Sequence, residues 1–243
     1  MSARRAKQLI YGVFYGLCWI IFFYGVYAIF LRPVISLPTA PACGEFCVPE
    51  GVKPIAPQGS VMSFTTSPGH YTFLAQIANV NSGYAAAGFD YTFTAYDASG
   101  TPLQSFAGQS FIYASEIKYL VDPNEIVAKP IDHMGLIITN VRWISGSALG
   151  IVPDFTFQNM EIGSSSSTVS VGGEIANKDI VSFAHVYIVG IWKGPDGTPI
   201  GASETKIDGL GAGTTADFSV IYPAVPGIDP ASNQVFAYGL KGN

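Results

Sequence analysis

The chain has 243 residues, 49% of them hydrophobic, and a formal net charge of −5. All 17 acidic residues lie beyond residue 32, together with only 8 of the 12 basic residues. Residues 33–243 therefore carry a net charge of −9. Such a region lacks the basic surface that nucleic-acid binding needs, so we expect no nucleic-acid partner. An acidic exterior favours solubility and binds cations only weakly and without selectivity.

The first predicted element is an apolar segment of 23 residues, Leu9–Leu31, without a charged side chain. As a helix it would be roughly 34 Å long, enough to cross a hydrocarbon core of about 30 Å. Three basic residues precede it and only Arg32 follows it closely. The positive-inside rule therefore keeps residues 1–8 in the cytoplasm. We predict a single-pass cell-membrane protein whose C-terminal domains are periplasmic or extracellular.

Two alternatives to a permanent transmembrane helix are open from the sequence. A cleaved signal peptide would have an apolar core of about 7–15 residues, which is shorter than this one. Small residues also precede Cys43, as they do in a lipoprotein cleavage site, but Pro41 and the absence of Leu or Val at position 40 do not fit that pattern. We favour an uncleaved signal anchor.

Gly12 and Gly16 form a GxxxG pattern within the predicted span. This spacing lets two membrane helices approach closely, so it predicts transmembrane packing and would allow a homo-oligomer through the helix. The alternative is that a membrane helix simply tolerates glycine at these positions.

Residues 32–59 are predicted to form an extended stalk, because six prolines and three glycines recur in them and proline favours extended backbone over helix. Cys43 and Cys47 lie within this stalk. In an oxidising compartment such a pair typically closes a small disulfide. A zinc site is the alternative, but zinc needs four ligands and no further Cys or His lies nearby. We predict no metal and no cofactor.

From residue 60 the chain consists of short β-type patterns. In residues 89–95 apolar and polar side chains alternate, and a turn signal follows at 97–100. Residues 186–192 show one apolar face in the same way, before a turn at 194–197. A period of two is typical of a strand with one buried face, and Gly, Pro, Asp and Ser favour the turns.

Two segments of about 95 residues repeat within this region. The matching motifs are Ile77-Ala78-Asn79 with Ile175-Ala176-Asn177, Gly100-Thr101-Pro102 with Gly197-Thr198-Pro199, and residues 119–123 with 219–223. The offset rises from 97 to 100, which we attribute to a longer glycine-rich loop near 209–213. Segments of this size with about seven strands predict an all-β fold of two tandem immunoglobulin-like β-sandwich domains, residues 60–148 and 149–243.

The first segment also contains Phe93-Thr94-Ala95-Tyr96-Asp97, followed by Gly100. This motif resembles the signature of the FxLYD domain, with Ala95 where that family has leucine. In the second segment Gly190–Gly194 keeps only the strand and turn pattern. The resemblance implies small immunoglobulin-type sandwiches, often held outside a bacterial membrane anchor, and it implies no catalytic residues. The layout also resembles single-span proteins of bacteria with reduced genomes.

No catalytic set is predicted from the residues themselves. The three histidines, His70, His133 and His185, have no nucleophile and orienting carboxylate beside them in sequence. No serine lies in a G-x-S-x-G motif. The glycine-rich residues 209–213 precede a predicted strand and not a helix, so we interpret them as a flexible hairpin and not as a phosphate-binding loop.

Acidic residues offer two further hypotheses. Asp122 and Glu125 flank a proline in a predicted loop, which does not favour paired-carboxylate chemistry. Calcium would need several acids to converge near the domain junction, and Asp122, Glu125, Asp132 and Asp154 are the candidates. Solvated loop acids are the favoured alternative.

The sequence thus predicts a non-enzymatic envelope protein that presents two β-sandwich domains to another envelope protein, for interaction or scaffolding. Candidate contact aromatics are Tyr84, Tyr96, Phe106 and Tyr113, each of which could equally pack in a core. An accessory subunit of a secretion or pilus-type membrane complex is one alternative, and an extracytoplasmic ligand-binding protein is another. A deep polar pocket holding His185 or His133 with two carboxylates would instead favour an enzyme.

Overall fold

A computed structural model of the protein describes Leu17, Trp19 and residues 48–242. Leu17 and Trp19 are helical, and about half of each side chain is exposed. Within this described part, no helix combines the length and the apolar character that crossing a membrane requires.

Several predicted features lie outside the described residues. They include most of the span Leu9–Leu31 with Gly12 and Gly16, and both stalk cysteines, Cys43 and Cys47. The anchor, its helix packing and the disulfide therefore stay predictions.

Residues 48–242 form an all-β fold, as predicted, and their strands pair antiparallel. The strands are β1 (Ala56–Pro57), β2 (Met62–Ser67), β3 (His70–Ala78), β4 (Tyr84–Tyr96), β5 (Pro102–Ile112), β6 (Ile117–Ile126), β7 (His133–Ser145), β8 (Phe155–Ser164), β9 (Thr168–Asn177), β10 (Phe183–Lys193), β11 (Pro199–Leu210), β12 (Thr215–Pro223) and β13 (Gln234–Lys241). A four-residue helix, α1 (Gly146–Leu149), follows β7, and a 3-10 turn (Pro230–Ser232) precedes β13.

The strands form four antiparallel sheets with a repeated pairing pattern. In the first half of the described region, β3 pairs with β1, β2 and β6 (sheet 1), and β4 pairs with β5 and β7 (sheet 2). In the second half, β9 pairs with β8 and β12 (sheet 3), and β10 pairs with β11 and β13 (sheet 4). Each strand from β8 to β13 therefore takes the place of the strand six positions before it.

A buried asparagine occupies the same place in both halves. Asn79 Nδ2 donates hydrogen bonds to the carbonyls of Tyr84 and Tyr113, at 2.8 Å each. Asn177 Nδ2 donates to two carbonyls at equivalent places, at 2.8 and 2.9 Å. Because buried carbonyls need donors, each asparagine ties the end of its strand to the two neighbouring connections. The matching Ile-Ala-Asn motifs have this structural cause.

The two Ile-Ala-Asn motifs are 98 residues apart, and strands β6 and β12 are related by the same offset of 98. The predicted rise of this offset to 100 is therefore wrong. Ile77 pairs with Lys118, and Ile175 pairs with Ala216. The glycine-rich residues 209–213 do not form a hairpin either, since β11 and β12 belong to different sheets. They replace residues 111–115 of the first half, whose aromatic side chains pack against the second half.

Apolar side chains fill the space between paired sheets. The first cluster packs Phe73, Ala75 and Ile77 of sheet 1 against sheet 2, where Phe89 and Phe93 contribute. A further cluster fills the equivalent space between sheets 3 and 4. Burying these side chains is the main stabilising contribution to either half.

One more apolar cluster contains residues of both halves. Leu74 and Val121 of sheet 1 pack together with Val189, Ile191 and Ala202 of sheet 4. Strands β3 and β10 therefore bury side chains on both of their faces. The two halves share an interior in addition to the interior that each one has.

The last residues of the predicted stalk, 55–58, belong instead to the first half of the β fold. Ile55 is buried in the first cluster, β1 pairs with the end of β3, and the Gln58 N–H donates to the Gln76 carbonyl at 2.7 Å. Between the halves, α1 places Leu149 in the cluster that both halves share. The chain is thus packed at the predicted domain boundary between residues 148 and 149.

Candidate functional site

The three histidines lie on three different strands and do not form a catalytic triad. His133 Nδ1 is 3.0 Å from Asp132 Oδ2, and His185 Nδ1 is 2.7 Å from Asp208 Oδ1. His70 instead faces an asparagine side chain. Among the hydrogen bonds of the described residues, neither carboxylate-bound histidine has a hydroxyl or thiol partner. A catalytic base needs such a nucleophile beside it, so this arrangement is not that of a triad.

The four acids that could have held calcium do not all come together, although the side chains of Asp122 and Glu125 are hydrogen-bonded to each other. Asp122 and Glu125 lie in strand β6, where a loop was predicted, while Asp132 pairs with its neighbouring histidine. The Asp154 backbone N–H is bound by the side chain of Asp179. Within residues 48–242, no group of three or more His, Cys, Asp or Glu side chains has the geometry to hold a metal ion.

The candidate contact aromatics divide into two kinds. Phe106 and Tyr113 are buried, and the Tyr113 hydroxyl donates to the carbonyl of Gly239 at 3.0 Å. Tyr84 and Tyr96 are half-buried. Phe106 and Tyr113 therefore serve packing, and Tyr113 also bonds the two halves to each other.

A buried lysine that sequence reasoning missed lies where the halves meet. Lys118 is 3% exposed, and its Nζ donates to the carbonyl of Phe111 at 3.1 Å. The same Nζ lies 3.5 Å from the centre of the Phe111 ring and 5.0 Å from that of Tyr238. Cation–π attraction thus replaces part of the lost hydration. The second half has Ala216 at the equivalent position, so Lys118 serves the junction and not the repeated fold.

Carboxylates accompany this lysine. Glu116 Oε2 accepts a hydrogen bond from the Tyr113 N–H at 2.7 Å. Burial lowers the pKa of Lys118 to about 8, although the charges of Glu116 and Glu204 oppose the change. Burial raises the pKa of Glu204 to about 7 against the attraction of Lys118. Burial, reinforced by Glu125, also raises the pKa of Asp122 to about 7. The junction therefore holds groups that titrate near neutral pH.

An open cleft of about 410 Å³, the junction cleft, lies beside these charges. Its lining includes Asp90, Gln109, Ser110, Phe111, Asn140 and Arg142 of sheet 2 and Tyr187 and Leu240 of sheet 4. A cavity of about 50 Å³ shares Gln109, Ser110, Phe111 and Tyr187 with the cleft and reaches Lys118 and Glu204. The junction of the halves is therefore the candidate functional site.

Asp90 lies between two amide side chains in the cleft. Its Oδ1 accepts a hydrogen bond from Gln109 Nε2 at 2.9 Å, and its Oδ2 accepts one from Asn140 Nδ2 at 2.7 Å. These bonds, with that of Asn140 the stronger influence, lower the pKa of Asp90, so the carboxylate is ionised. The three residues come from the adjacent strands β4, β5 and β7 and form one row of planar polar groups, the amide–carboxylate row.

The backbone around this row departs from regular strand geometry. Asn140 has φ of +50°, in the left-handed region, and β4 changes register between Ala86 and Asp90 against both of its neighbours. Register shifts of this kind re-aim side chains and are common beside functional sites. The sequence gives little warning of them beyond Gly88 within an otherwise regular strand.

No protein-family model matches the chain, and no curated protein matches it. Among solved structures, the chain is similar to the crystal structure of red sea bream transglutaminase, with 10% identity and a TM-score of 0.24. The similarity covers 79% of this chain and 32% of that one, so the chain spans about a third of that structure's length. At this TM-score the similarity indicates neither a fold nor a function.

Proposed function

We propose that this chain is a membrane-anchored envelope protein that presents two immunoglobulin-like β-sandwich domains, similar to FxLYD domains, to a protein partner. One observation carries the proposal: an uncharged segment of 23 residues with a basic N-terminal flank precedes an all-β unit whose sheet pattern repeats. The segment would hold the chain in the cell membrane, and the sheets would lie outside the cytoplasm.

The shared interior of the halves supports a presenting role. Because β3 and β10 bury both faces, separating the halves would expose Leu74, Val189 and Ile191 to water. It would also remove the hydrogen bond between Tyr113 and Gly239. Two halves held in this way offer a partner one continuous surface.

We propose no enzymatic activity for the buried charges. Lys118 lies under aromatic rings and is balanced by Glu116 and Glu204. Removing one member of a buried charge pair is strongly destabilising, because the other charge is left buried without compensation. A structural role at the junction accounts for this arrangement without a substrate.

Protease protection tests the membrane topology. The full chain, tagged at its C-terminus, is expressed in cells with and without an intact outer barrier. We expect external protease to degrade the tagged β region while a cytoplasmic marker stays intact. Recovery of the full-length chain in the soluble fraction, or complete protection of the tag in spheroplasts, would contradict the proposal.

Site-specific photo-crosslinking in living cells tests for the partner. A photoreactive residue at Ile137, which is exposed on β7, should give a crosslinked product of constant mass. The matched control is Ser165, exposed at the β8–β9 hairpin. If both positions give the same products, or neither gives any, the presenting role is wrong.

Two alternative functions remain as secondary proposals. An accessory subunit of a secretion or pilus-type complex would depend on the anchor helix, so changing Gly12 and Gly16 to leucine should abolish co-purification with the complex in mild detergent. An extracytoplasmic ligand-binding protein is favoured by a different observation, the junction cleft with its amide–carboxylate row.

A further inference from the structure

We propose that the junction cleft binds a saccharide, through the amide–carboxylate row of Asp90, Gln109 and Asn140 and the half-buried ring of Tyr187. This inference rests on the ligand-binding function named above as the second alternative. It assigns that function a site and a ligand class.

A comparison of the two halves shows that the fold does not require a polar surface here. Residues of sheet 4 that pack at the junction correspond, by strand register and an offset of 97, to polar residues of sheet 2. The corresponding pairs are Tyr187 with Asp90, Val189 with Thr92, Ile191 with Thr94, and Ala202 with Ser105. Where the second half needs apolar contact, the first half has carboxylate and hydroxyl groups, which suit a hydrated surface or a polar ligand.

The chemistry of the row fits adjacent hydroxyl groups. Asp90 uses one hydrogen bond from each neighbouring amide, which fixes the orientation of both amides. The side-chain oxygen and second N–H of Gln109 and Asn140 provide further acceptors and donors. Neighbouring hydroxyls of a sugar ring each donate and accept, so they match such an alternating set. The cleft volume of about 410 Å³ falls within the range of about 300–1,000 Å³ typical of ligand sites.

The ring of Tyr187 supplies the apolar part of saccharide recognition. Tyr187 is half-buried and lines the cleft beside the Phe111 ring, with ring centroids 6.1 Å apart. A sugar ring has an apolar C–H face as well as hydroxyl edges, and aromatic rings pack well against such faces. A ligand that combines both kinds of surface therefore fits this cleft best.

Other ligand classes fit less well. Asp90 is the one carboxylate among the residues that line the cleft, and both of its oxygens already accept hydrogen bonds, so a cation would lack ligands. A polyanion would meet the net charge of −9 carried by residues 33–243. A purely apolar ligand would leave the amide–carboxylate row without hydration.

Calorimetry on the full chain in phospholipid nanodiscs tests the proposal. Nanodiscs without sugar headgroups are essential, because maltoside detergents would compete for the site. The probes are cellohexaose, chitohexaose and maltohexaose, with tri-alanine as a peptide probe. We expect at least one hexasaccharide to bind, and Gln109→Ala to weaken its binding by up to about tenfold, which corresponds to about 1.4 kcal/mol.

Asn140→Gly is the sharper variant, because glycine accepts the left-handed backbone and only the side chain is lost. Asn159→Gly is its matched control. Asn159 also has φ of +50°, and its Nδ2 also bonds a carboxylate, that of Glu174, at 3.0 Å, but it lies on β8 outside the cleft lining. Saccharide binding should fall in Asn140→Gly and stay unchanged in Asn159→Gly.

Each outcome of the binding experiment supports or overturns the saccharide proposal. Equal effects of the two glycine variants, or full binding by Asn140→Gly, overturn the saccharide proposal. If tri-alanine binds in an Asn140-dependent way and no hexasaccharide does, the saccharide class is wrong but the ligand-binding function stands. If no probe binds, both fail.

Discussion

At the scale of single residues, a large and a small side chain exchange places between equivalent positions of the two halves. The halves therefore form the same fold from different sequences. The first half has Phe93 and Ala95, both fully buried, where the second half has Gly190 and Trp192. A Cβ added to Gly190 would lie 2.9 Å from Trp192 Cη2 and 3.1 Å from Val220 Cγ1. The indole therefore fills the space above the glycine, and the FxLYD-like pattern is lost from the second half although the strand is kept.

This exchange predicts strong coupling between positions 190 and 192. Gly190→Phe alone should destabilise the fold by about 1–3 kcal/mol through overpacking, and Trp192→Ala alone by about 3–5 kcal/mol through a cavity. The double variant, which copies Phe93 and Ala95, should cost clearly less than the sum, because phenylalanine occupies the vacated space. Urea unfolding followed by circular dichroism measures the three free energies. Additive effects would show that the two halves do not share this packing site.

At the scale of an element, strand β10 is buried on both faces, although its period of two predicts only one buried face. Its alternating residues Val186, Ile188 and Trp192 pack within the second half, as the period of two predicts. The intervening Val189 and Ile191 are equally buried, in the cluster that both halves share. An uninterrupted apolar run of this kind is typical of a strand buried on both faces, so the sequence did carry the signal.

A reciprocal exchange tests this difference between equivalent strands. Val189→Thr should destabilise the protein by about 1–3 kcal/mol, because a hydroxyl would be buried without a partner in the shared cluster. Thr92→Val, the matched change on half-buried β4, should stay within about 0.5 kcal/mol of the unchanged protein. Thermal unfolding of both variants compares the costs. Similar losses from both would mean that β4 and β10 have equivalent surroundings, against the structure.

The junction charges give the whole molecule an expected pH dependence. The titratable or charged side chains around Lys118 and Glu204 are Tyr91 from β4, Glu116 immediately before β6, Asp122 from β6 and Tyr238 from β13. The pKa values of Glu204 and Asp122 rise to about 7, above their unfolded values near 4. The folded state then binds extra protons between these values, so stability falls as the pH rises from about 4 to about 7.

Lys118 acts in the opposite direction at higher pH. Its folded pKa of about 8 lies below the unfolded value of about 10.4. Between these values the unfolded state binds more protons, so stability recovers as the pH rises through this window. The two effects place a minimum in stability between about pH 7 and pH 8.

Glu204→Gln tests this dependence. The variant should lose less stability than the unchanged protein between about pH 5 and pH 7, because one of the carboxyl groups whose pKa is raised by burial no longer titrates. Part of the slope should remain through Asp122. Urea unfolding at a series of pH values measures the slope. Glu161→Gln, an exposed change on β8, is the control, and equal slopes in both variants would exclude Glu204 as the source.

Much of the fold could be predicted from short-range sequence patterns. Alternation identified β4 and β10, one strand in each half, and Gly100 and Gly197 marked hairpins that the structure contains, each with φ of +80°. The Ile-Ala-Asn motifs identified equivalent strand ends. The asparagine hydrogen bonds that cause this match became visible only in the structure, because their acceptors lie up to 34 residues away.

The sequence by itself determined the β character and the repeat, since each depends on residues two to four positions apart or on direct motif matches. The tertiary structure decided which faces meet, that Lys118 is buried under Phe111 and Tyr238, and that Asp90, Gln109 and Asn140 form one row. The physical reason is that strand register and sheet packing join residues far apart in the chain. Local patterns state which face of a strand is apolar, but not which surface will cover it.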